Sequence, residues 1–316
     1  MNCDIILWGV RYMEIIGVLL RQVAIMFCLM AIGYLGYRKK WISDQGTKDI
    51  GSLMLNVALP MIVISNFWVE KTGEKVHDLL FSLILTLICM FTSMIISRIF
   101  FHKTDRIGEF SATFSNAGFI GIPIVQALYG SKAVFYISMM IAMINVFQWT
   151  YGVFTITDDK SAMDIGKVLR NPTVLAVIAG LILFFLEIPM PSILDSVFDT
   201  IGGINTPLAM FSSGVYLARS DLLGILKKGR VYLVCAVRLL VIPLVTILLM
   251  KVFPWGSTEM KMSIMCASAC PVGVSVSIFA QQYGKDYTKG VEYVSASTLL
   301  CIITIPAIVF LASKLI

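Results

Sequence analysis

Apolar residues fill long runs of this 316-residue chain, and most charged residues lie in the short segments between the runs. A transmembrane helix needs about 20 mostly apolar residues. Ten stretches reach or approach that length, none is typical of a strand, and no polar stretch is long enough for a separate soluble domain. The predicted spans are residues 15–36, 48–68, 78–100, 109–130, 132–156, 172–188, 199–218, 231–252, 260–283 and 290–313. The pattern predicts an all-α integral membrane protein.

The longest polar loop lies near the middle of the chain and divides the predicted spans into two sets of five. Residues 1–156 form the first half, residues 157–171 a connecting loop, and residues 172–316 the second half. Five is an odd number, so the second half must enter the membrane from the opposite side. The halves are therefore predicted to be inverted repeats.

Two apolar stretches, in the fourth and ninth predicted spans, are interrupted by Gly and Pro at corresponding places. Each stretch ends in Tyr-Gly, at 129–130 and 283–284. Backbone groups freed by a helix break are tolerated in a membrane only inside protein or beside a water-filled cavity. In transporters built from repeats, paired broken helices mark the substrate site. The candidate residues at the two breaks are Asn116, Gly118, Gly121, Pro123, Pro271, Gly273 and Ser275.

An anion is the ligand that such breaks favour. Pro123 is suited to the first turn of a second half-helix. The start of a helix carries partial positive charge and free N–H groups, and the Asn116 amide both donates and accepts hydrogen bonds. The alternative is a packing kink in which Asn116 bonds a neighbouring helix.

Three further candidates lie in other predicted spans. Asn56, in the Asn56-Val-Ala-Leu-Pro60 segment of span two, either lines the cavity or belongs to a kink that shapes the bundle without touching substrate. Asn145, in span five three residues before Gln148, either lines the cavity or bonds a neighbouring helix. Arg238 lies about eight residues inside span eight, and a charge at that depth is a functional candidate. Its alternative role is a snorkelling side chain paired with carbonyl groups.

Composition agrees with a membrane protein, since 58% of the residues are hydrophobic, 14% are charged and the mean hydropathy is +0.87. The net charge of +6 reflects loop charges, so no nucleic-acid partner is expected. Loops after odd-numbered spans, with the adjacent span ends, carry 16 Lys and Arg against 7 on the other side. The positive-inside rule then places the mid-chain loop in the cytoplasm and both termini outside a plasma (inner) membrane.

The seven cysteines include no CxxC pair, so neither a metal site nor a cofactor is expected. Residues 1–14 contain Asp4, Arg11 and Glu14 and do not resemble a cleaved signal peptide.

Several of these segments resemble the auxin efflux carrier family, which includes plant auxin carriers and prokaryotic malonate- or malate-type permeases. Residues 115–123, Ser-Asn-Ala-Gly-Phe-Ile-Gly-Ile-Pro, are similar to its fourth-span motif. Residues 56–60 resemble its second span, and residues 269–273 and 279–283 its ninth. One departure is Val276, where plant members carry a second proline. The short mid-chain loop and the chain length are more similar to a bacterial permease.

The resemblance implies a scaffold of spans 1, 2, 6 and 7 and a mobile unit of spans 3–5 and 8–10. Substrate would lie where spans four and nine cross, with Asn116 as the contacting asparagine, and the scaffold would mediate a homodimer. The leading hypothesis is an elevator-type secondary transporter of small organic anions in the lipid bilayer.

Three other hypotheses remain at this point. A sodium-coupled organic anion symporter of the bile-acid carrier type shares the inverted five-span plan. An intramembrane enzyme is disfavoured because no Ser/His or paired-carboxylate constellation lies at depth. A receptor without transport is disfavoured because the sequence shows no output domain.

Overall fold

The computed structural model describes residues 17–316 apart from residue 226; for residues 132 and 222 only the backbone is described. The expectation that residues 1–14 are not a cleaved signal lies outside the described residues, as does the start of the first predicted span. Within the described part of the chain no strand occurs, and the secondary structure is helical throughout. The helices in chain order are α1 (Gly17–Arg38), α2 (Asp44–Phe67), α3 (Gly73–Phe101), α4 (Arg106–Thr113), α5 (Ala117–Tyr129), α6 (Val134–Thr157), α7 (Ile165–Leu169), α8 (Pro172–Leu186), α9 (Ser192–Gly203), α10 (Asn205–Arg219), α11 (Leu222–Ile225), α12 (Gly229–Val252), α13 (Thr258–Ser268), α14 (Ser275–Gln282) and α15 (Tyr287–Leu315).

Six of the described helices, α1, α2, α3, α6, α12 and α15, are each long and apolar enough to cross a membrane. The number becomes seven if α8 and the segment Lys160–Leu169, which meet at a bend of 45°, count as one span. The prediction of an all-helical multi-pass membrane protein is confirmed at this level. The predicted spans 109–130, 199–218 and 260–283 are each two shorter helices.

Polar caps set several helix starts earlier than hydropathy predicted. Thr72 accepts a hydrogen bond from the Lys75 N–H at 3.2 Å and starts α3 at Gly73 rather than at residue 78. Asp286 accepts one from the Thr288 N–H at 3.1 Å and starts α15 at Tyr287 rather than at residue 290. A capping side chain satisfies N–H groups that the helix cannot, so charged residues enter its first turns.

Close packing of two helix backbones joins α1 and α10. A Cβ on Gly33 would fall on the backbone of Phe211, and one on Gly214 would fall on the carbonyl oxygen of Met30. Lipid gives no hydrophobic drive for helix pairing, so membrane helices associate through small residues that let backbones approach. The latter part of α2 packs against α8 and α9 beside this pair.

Two buried carboxylates fasten the remaining helices to one another. Asp105 caps α4 and accepts hydrogen bonds from the Tyr293 hydroxyl at 2.5 Å and from Arg230 Nε at 3.3 Å. Asp78 of α3 accepts bonds from the N–H and hydroxyl of Ser257, the residue that caps α13, at 3.1 and 2.6 Å. The starts of α4 and α13 are therefore each held by a capping side chain that also bonds another helix.

Replacing Gly33 by Ala should lower the stability of the purified protein by about 1–3 kcal/mol, because the new methyl group forces α1 away from α10. Thermal unfolding in detergent measures this loss. Gly17→Ala, in the same helix, is the matched control, since a Cβ there meets nothing within 4 Å. Equal melting temperatures for the two variants would contradict the close backbone packing.

Candidate functional site

Backbone hydrogen bonds join the two interrupted stretches of the chain. Residues 114–116 separate α4 from α5, and residues 269–274 separate α13 from α14. The Asn116 N–H donates to the Pro271 carbonyl at 2.8 Å, and the Gly273 N–H donates to the Phe114 carbonyl at 3.0 Å. The result is an isolated antiparallel β-bridge between Ser115 and Val272. Each break therefore satisfies the backbone groups that the other leaves free, as a membrane interior requires.

The first break, at residues 114–116, precedes most of the residues that were predicted to form it. Gly118 and Gly121 belong to a π-helical turn, Ala117–Gly121, and Pro123 is the second residue of the α-helical part, Ile122–Tyr129. Pro123 therefore stands in the first turn of this α-helical part but is the seventh residue of α5, so it neither begins the half-helix nor creates the break. In the second stretch Pro271 and Gly273 do lie within the break.

Arg238 lies on the opposite side of this junction, where α4 and α13 end. Its side chain is 1% exposed, and Nη1 donates to the carbonyls of Ala112 and Thr113 at 3.0 and 3.2 Å. Nη2 donates to the carbonyl of Ser268. One guanidinium thus binds the last carbonyls of two helices, whose C-terminal ends carry partial negative charge.

A small cavity of about 70 Å³ adjoins the starts of α5 and α14. That volume exceeds the roughly 10–15 Å³ that a cavity needs in order to hold one water. None of its described lining residues is ionisable, so the cavity offers hydrogen bonds and apolar contact rather than acid–base chemistry. The lining consists of Leu55, Leu59, Ser115, Asn116, Gly118, Phe119, Ile141, Ile144, Asn145, Gln148, Gly273, Val274, Ser275 and Ile278.

Unpaired polar groups face this cavity. Asn116 is 5% exposed, and its Nδ2 has no hydrogen-bond partner among the described residues, nor does the Ser115 hydroxyl. Gln148 donates through Nε2 to the Ser275 hydroxyl oxygen at 2.8 Å, which occupies an acceptor site of Ser275 and leaves its proton to bond elsewhere. An unpaired buried donor costs about 1–3 kcal/mol, so this arrangement favours an acceptor ligand.

The structure brings five of the predicted site residues to the cavity and places five elsewhere. The lining residues are Asn116, Gly118, Asn145, Gly273 and Ser275, and the residues outside the lining are Asn56, Gly121, Pro123, Pro271 and Arg238.

The residues outside the lining have structural contacts instead. Asn56 is exposed, and its amide donates to the Ser52 hydroxyl at 3.0 Å within α2. A Cβ on Gly121 would lie 3.4 Å from Cys270 Sγ, so this glycine packs α5 against the other broken stretch. Arg238 was expected to supply charge near the substrate, but its guanidinium donates to carbonyl groups. This corresponds to the alternative role considered for it, a side chain paired with carbonyls.

The apolar wall of the cavity was not among the predicted site residues. Ile141, Ile144, Asn145 and Gln148 recur at helical spacing along α6, so one face of that helix lines the cavity. Gln148 also begins a π-helical turn, Gln148–Gly152, of the kind that often accompanies function. The sequence pattern that could have predicted this wall is the helical stripe of α6 in which Asn145 and Gln148 lie among apolar residues.

A larger vestibule of about 740 Å³ reaches the small cavity. Leu55 and Ile278 line both spaces. The vestibule lies between α2 and α10 on one side and α14 and α15 on the other, beside the segments that join α1 to α2, α10 to α12 and α14 to α15. Its rim is charged: Arg219 pairs with Asp44, and Lys228 donates to Glu292 Oε1 at 2.5 Å, a bond that raises the pKa of Lys228.

Comparison with known proteins identifies the relatives of this chain. The family described as membrane transport protein matches residues 18–309. A protein of Escherichia coli (strain K12), described as the uncharacterized transporter YfdV, is 22% identical over 300 residues, which are 90% of this chain and 94% of that protein. A Mus musculus protein described as lysosomal cholesterol signaling protein is 23% identical over 292 residues, 82% of this chain and 33% of the mouse protein. The family and the bacterial relative are transporters rather than enzymes.

Ser297→Ala should destabilise the junction by about 1–3 kcal/mol, because it leaves the buried Val272 N–H without its acceptor, the Ser297 hydroxyl at 3.1 Å. Thermal unfolding in detergent measures the change. The matched control is Ser138→Ala: this serine is also fully buried, but its hydroxyl donates to the Val134 carbonyl of its own helix. If Ser138→Ala lowers the stability as much as Ser297→Ala does, the hydrogen bond to Val272 does not stabilise the junction specifically.

Proposed function

The chain belongs to the membrane transport protein family, the auxin efflux carrier family that its motifs resemble, and on this basis we propose that it is a secondary transporter of small organic carboxylates. The observation that carries the proposal is the unpaired amide of Asn116 beside the starts of two helices. Helix N-termini favour anions, and amide and hydroxyl donors bind carboxylate oxygens. The apolar lining suits the hydrocarbon part of an organic acid.

The proposed mechanism is elevator-type alternating access. The scaffold consists of α1, α2 and α8–α10, and the mobile unit consists of α3–α6 and α12–α15. Packing of α1 against α10 through Gly33 and Gly214 supports a stable scaffold. The hydrogen bonds that Ser257 donates to Asp78 and Tyr293 donates to Asp105 support a mobile unit that moves as one body.

Ten spans in two inverted five-span repeats complete the proposed architecture. The two halves are residues 1–156 and 172–316, joined by a connecting loop. The interrupted pairs α4–α5 and α13–α14 then count as spans four and nine, and α9–α10 as span seven. A homodimer through the scaffold is the proposed assembly.

The proposed orientation has the mid-chain loop in the cytoplasm and both termini outside the plasma (inner) membrane. The vestibule opens beside the loops that follow predicted spans one, seven and nine. The proposed orientation places these loops in the cytoplasm, so this conformation is inward-facing. Charged side chains at its rim, such as Arg219 and Lys48, then meet cytoplasmic solutes first. The proposal does not include a coupling ion, because no ionisable side chain lines the described cavity.

Asn116→Asp should reduce carboxylate counterflow in proteoliposomes by about 100-fold or more. The substitution is nearly isosteric, but it sets a negative charge against a bound carboxylate, at a cost of several kcal/mol. The panel is labelled phenylacetate, indole-3-acetate, malonate and malate, with saturable exchange as the readout. Asn56→Asp is the matched control, since Asn56 is exposed and outside the cavity lining.

The outcomes of this experiment separate the alternatives. No exchange of any acid by folded, inserted wild-type protein would reject the carboxylate assignment. Exchange that survives in Asn116→Asp would reject the site while leaving a carrier. Replacing sodium by potassium should leave exchange unchanged. Loss of exchange in potassium would favour a sodium-coupled symporter.

Single cysteines in a cysteine-free background should report the proposed orientation. We expect Ser161→Cys in the mid-chain loop and Gln281→Cys in the vestibule to react with an impermeant maleimide from the cytoplasmic side. Trp255→Cys, before α13, should react from the outside, because this exposed residue lies at the other end of the helices. Labelling of Ser161→Cys and Trp255→Cys from one side would reject the topology.

A further inference from the structure

Arg238 is a buried cation without an anionic partner. Its guanidinium bonds carbonyl oxygens of Ala112, Thr113 and Ser268, and its Nε has no hydrogen-bond partner among the described residues. It forms no ion pair with any carboxylate in the described part of the chain. An Arg side chain does not lose its proton in proteins, so this position keeps a full positive charge.

The position of Arg238 along its helix sets it apart from every other charge of the proposed mobile unit. It stands nine residues from the start of α12, roughly 14 Å at 1.5 Å per residue, which is near the middle of a hydrocarbon core of about 30 Å. Among the described residues of α3–α6 and α12–α15, all other charged side chains lie within five residues of a helix end. Glu109 is also buried, but it lies within 4 Å of Arg98 and His102, whose side chains are partly exposed, so it has cationic neighbours, whereas Arg238 has no anionic counterpart among the described residues.

Helix dipoles redistribute charge across the junction but add no net charge. The negative ends of α4 and α13 meet Arg238, and the positive ends of α5 and α14 meet the cavity. The middle of the mobile unit therefore carries a net formal charge of +1 when it is empty. A bound monocarboxylate brings the sum to zero.

We propose that Arg238 is a positioning residue that also supplies the fixed countercharge of the bound carboxylate, so that the empty mobile unit is the form that moves charge through the membrane. This inference rests on the proposed function. A unit charge that crosses the whole potential shifts an equilibrium about fifty-fold per 100 mV. The loaded unit with one monocarboxylate moves no net charge, and with a dicarboxylate it carries −1.

Transient charge movement in the absence of any organic acid tests the proposal. Reconstituted wild-type protein should show transient currents after voltage steps, Arg238→Gln should lose them, and Arg238→Lys should keep them because it keeps the charge. Arg219→Gln is the matched control: it removes an arginine that pairs with Asp44 at the vestibule rim, within the proposed scaffold, and should leave the currents unchanged.

Several results would overturn the proposal. One is a transient of equal size in Arg238→Gln. Another is the lack of any transient in wild-type protein that performs carboxylate counterflow. That second result leaves the proposed function intact, whereas absent counterflow would reject the proposed function itself.

If Arg238→Gln does not fold, transient currents of the wild-type protein with and without organic acids test the proposal. A saturating monocarboxylate from the exchanging acids should suppress the transient, and a saturating dicarboxylate should reverse its sign. A transient that neither class of acid changes would overturn the countercharge assignment.

Discussion

Two backbone hydrogen bonds between residues 114–116 and 271–273 are the constraint on which the arrangement of the site depends. Each interrupted helix leaves N–H and C=O groups that lipid cannot satisfy, and residues 114–116 and 271–273 are buried. The two breaks solve this problem together, since each supplies the partner that the other lacks. Because the bonds are antiparallel and between main-chain atoms, they fix how the four short helices point relative to one another.

That orientation places the negative ends of the short helices on one side of the junction and their positive ends on the other. The two C-terminal ends converge on Arg238, and the two N-terminal ends border the cavity that contains Asn116. A cation at the negative ends and a polar cavity at the positive ends follow from one geometry. The cavity can favour an anion without any ionisable lining residue, because the field of the helix starts is not cancelled within the cavity.

Polar bonds near the helix ends support the junction from both sides. Asp105 and Ser257 cap the first short helix of each interrupted pair, and both connect to other helices through Tyr293 and Asp78. The vestibule lies between α14 and α15 on one side and α2 and α10 on the other. In the proposed elevator mechanism the bonded helices form the moving body, and the pair of α1 and α10 belongs to the scaffold.

The sequence by itself determined the membrane class, the family and the two interrupted stretches, because hydropathy and Gly-Pro breaks are local properties of the chain. It also selected Asn116, Asn145, Gly273 and Ser275, which the structure brings to one cavity. Only the tertiary structure decided that Arg238 binds carbonyls and that Asn56 lies outside the cavity lining. Partners more than 100 residues apart, such as Gln148 and Ser275, depend on which helices meet, and no local pattern records that.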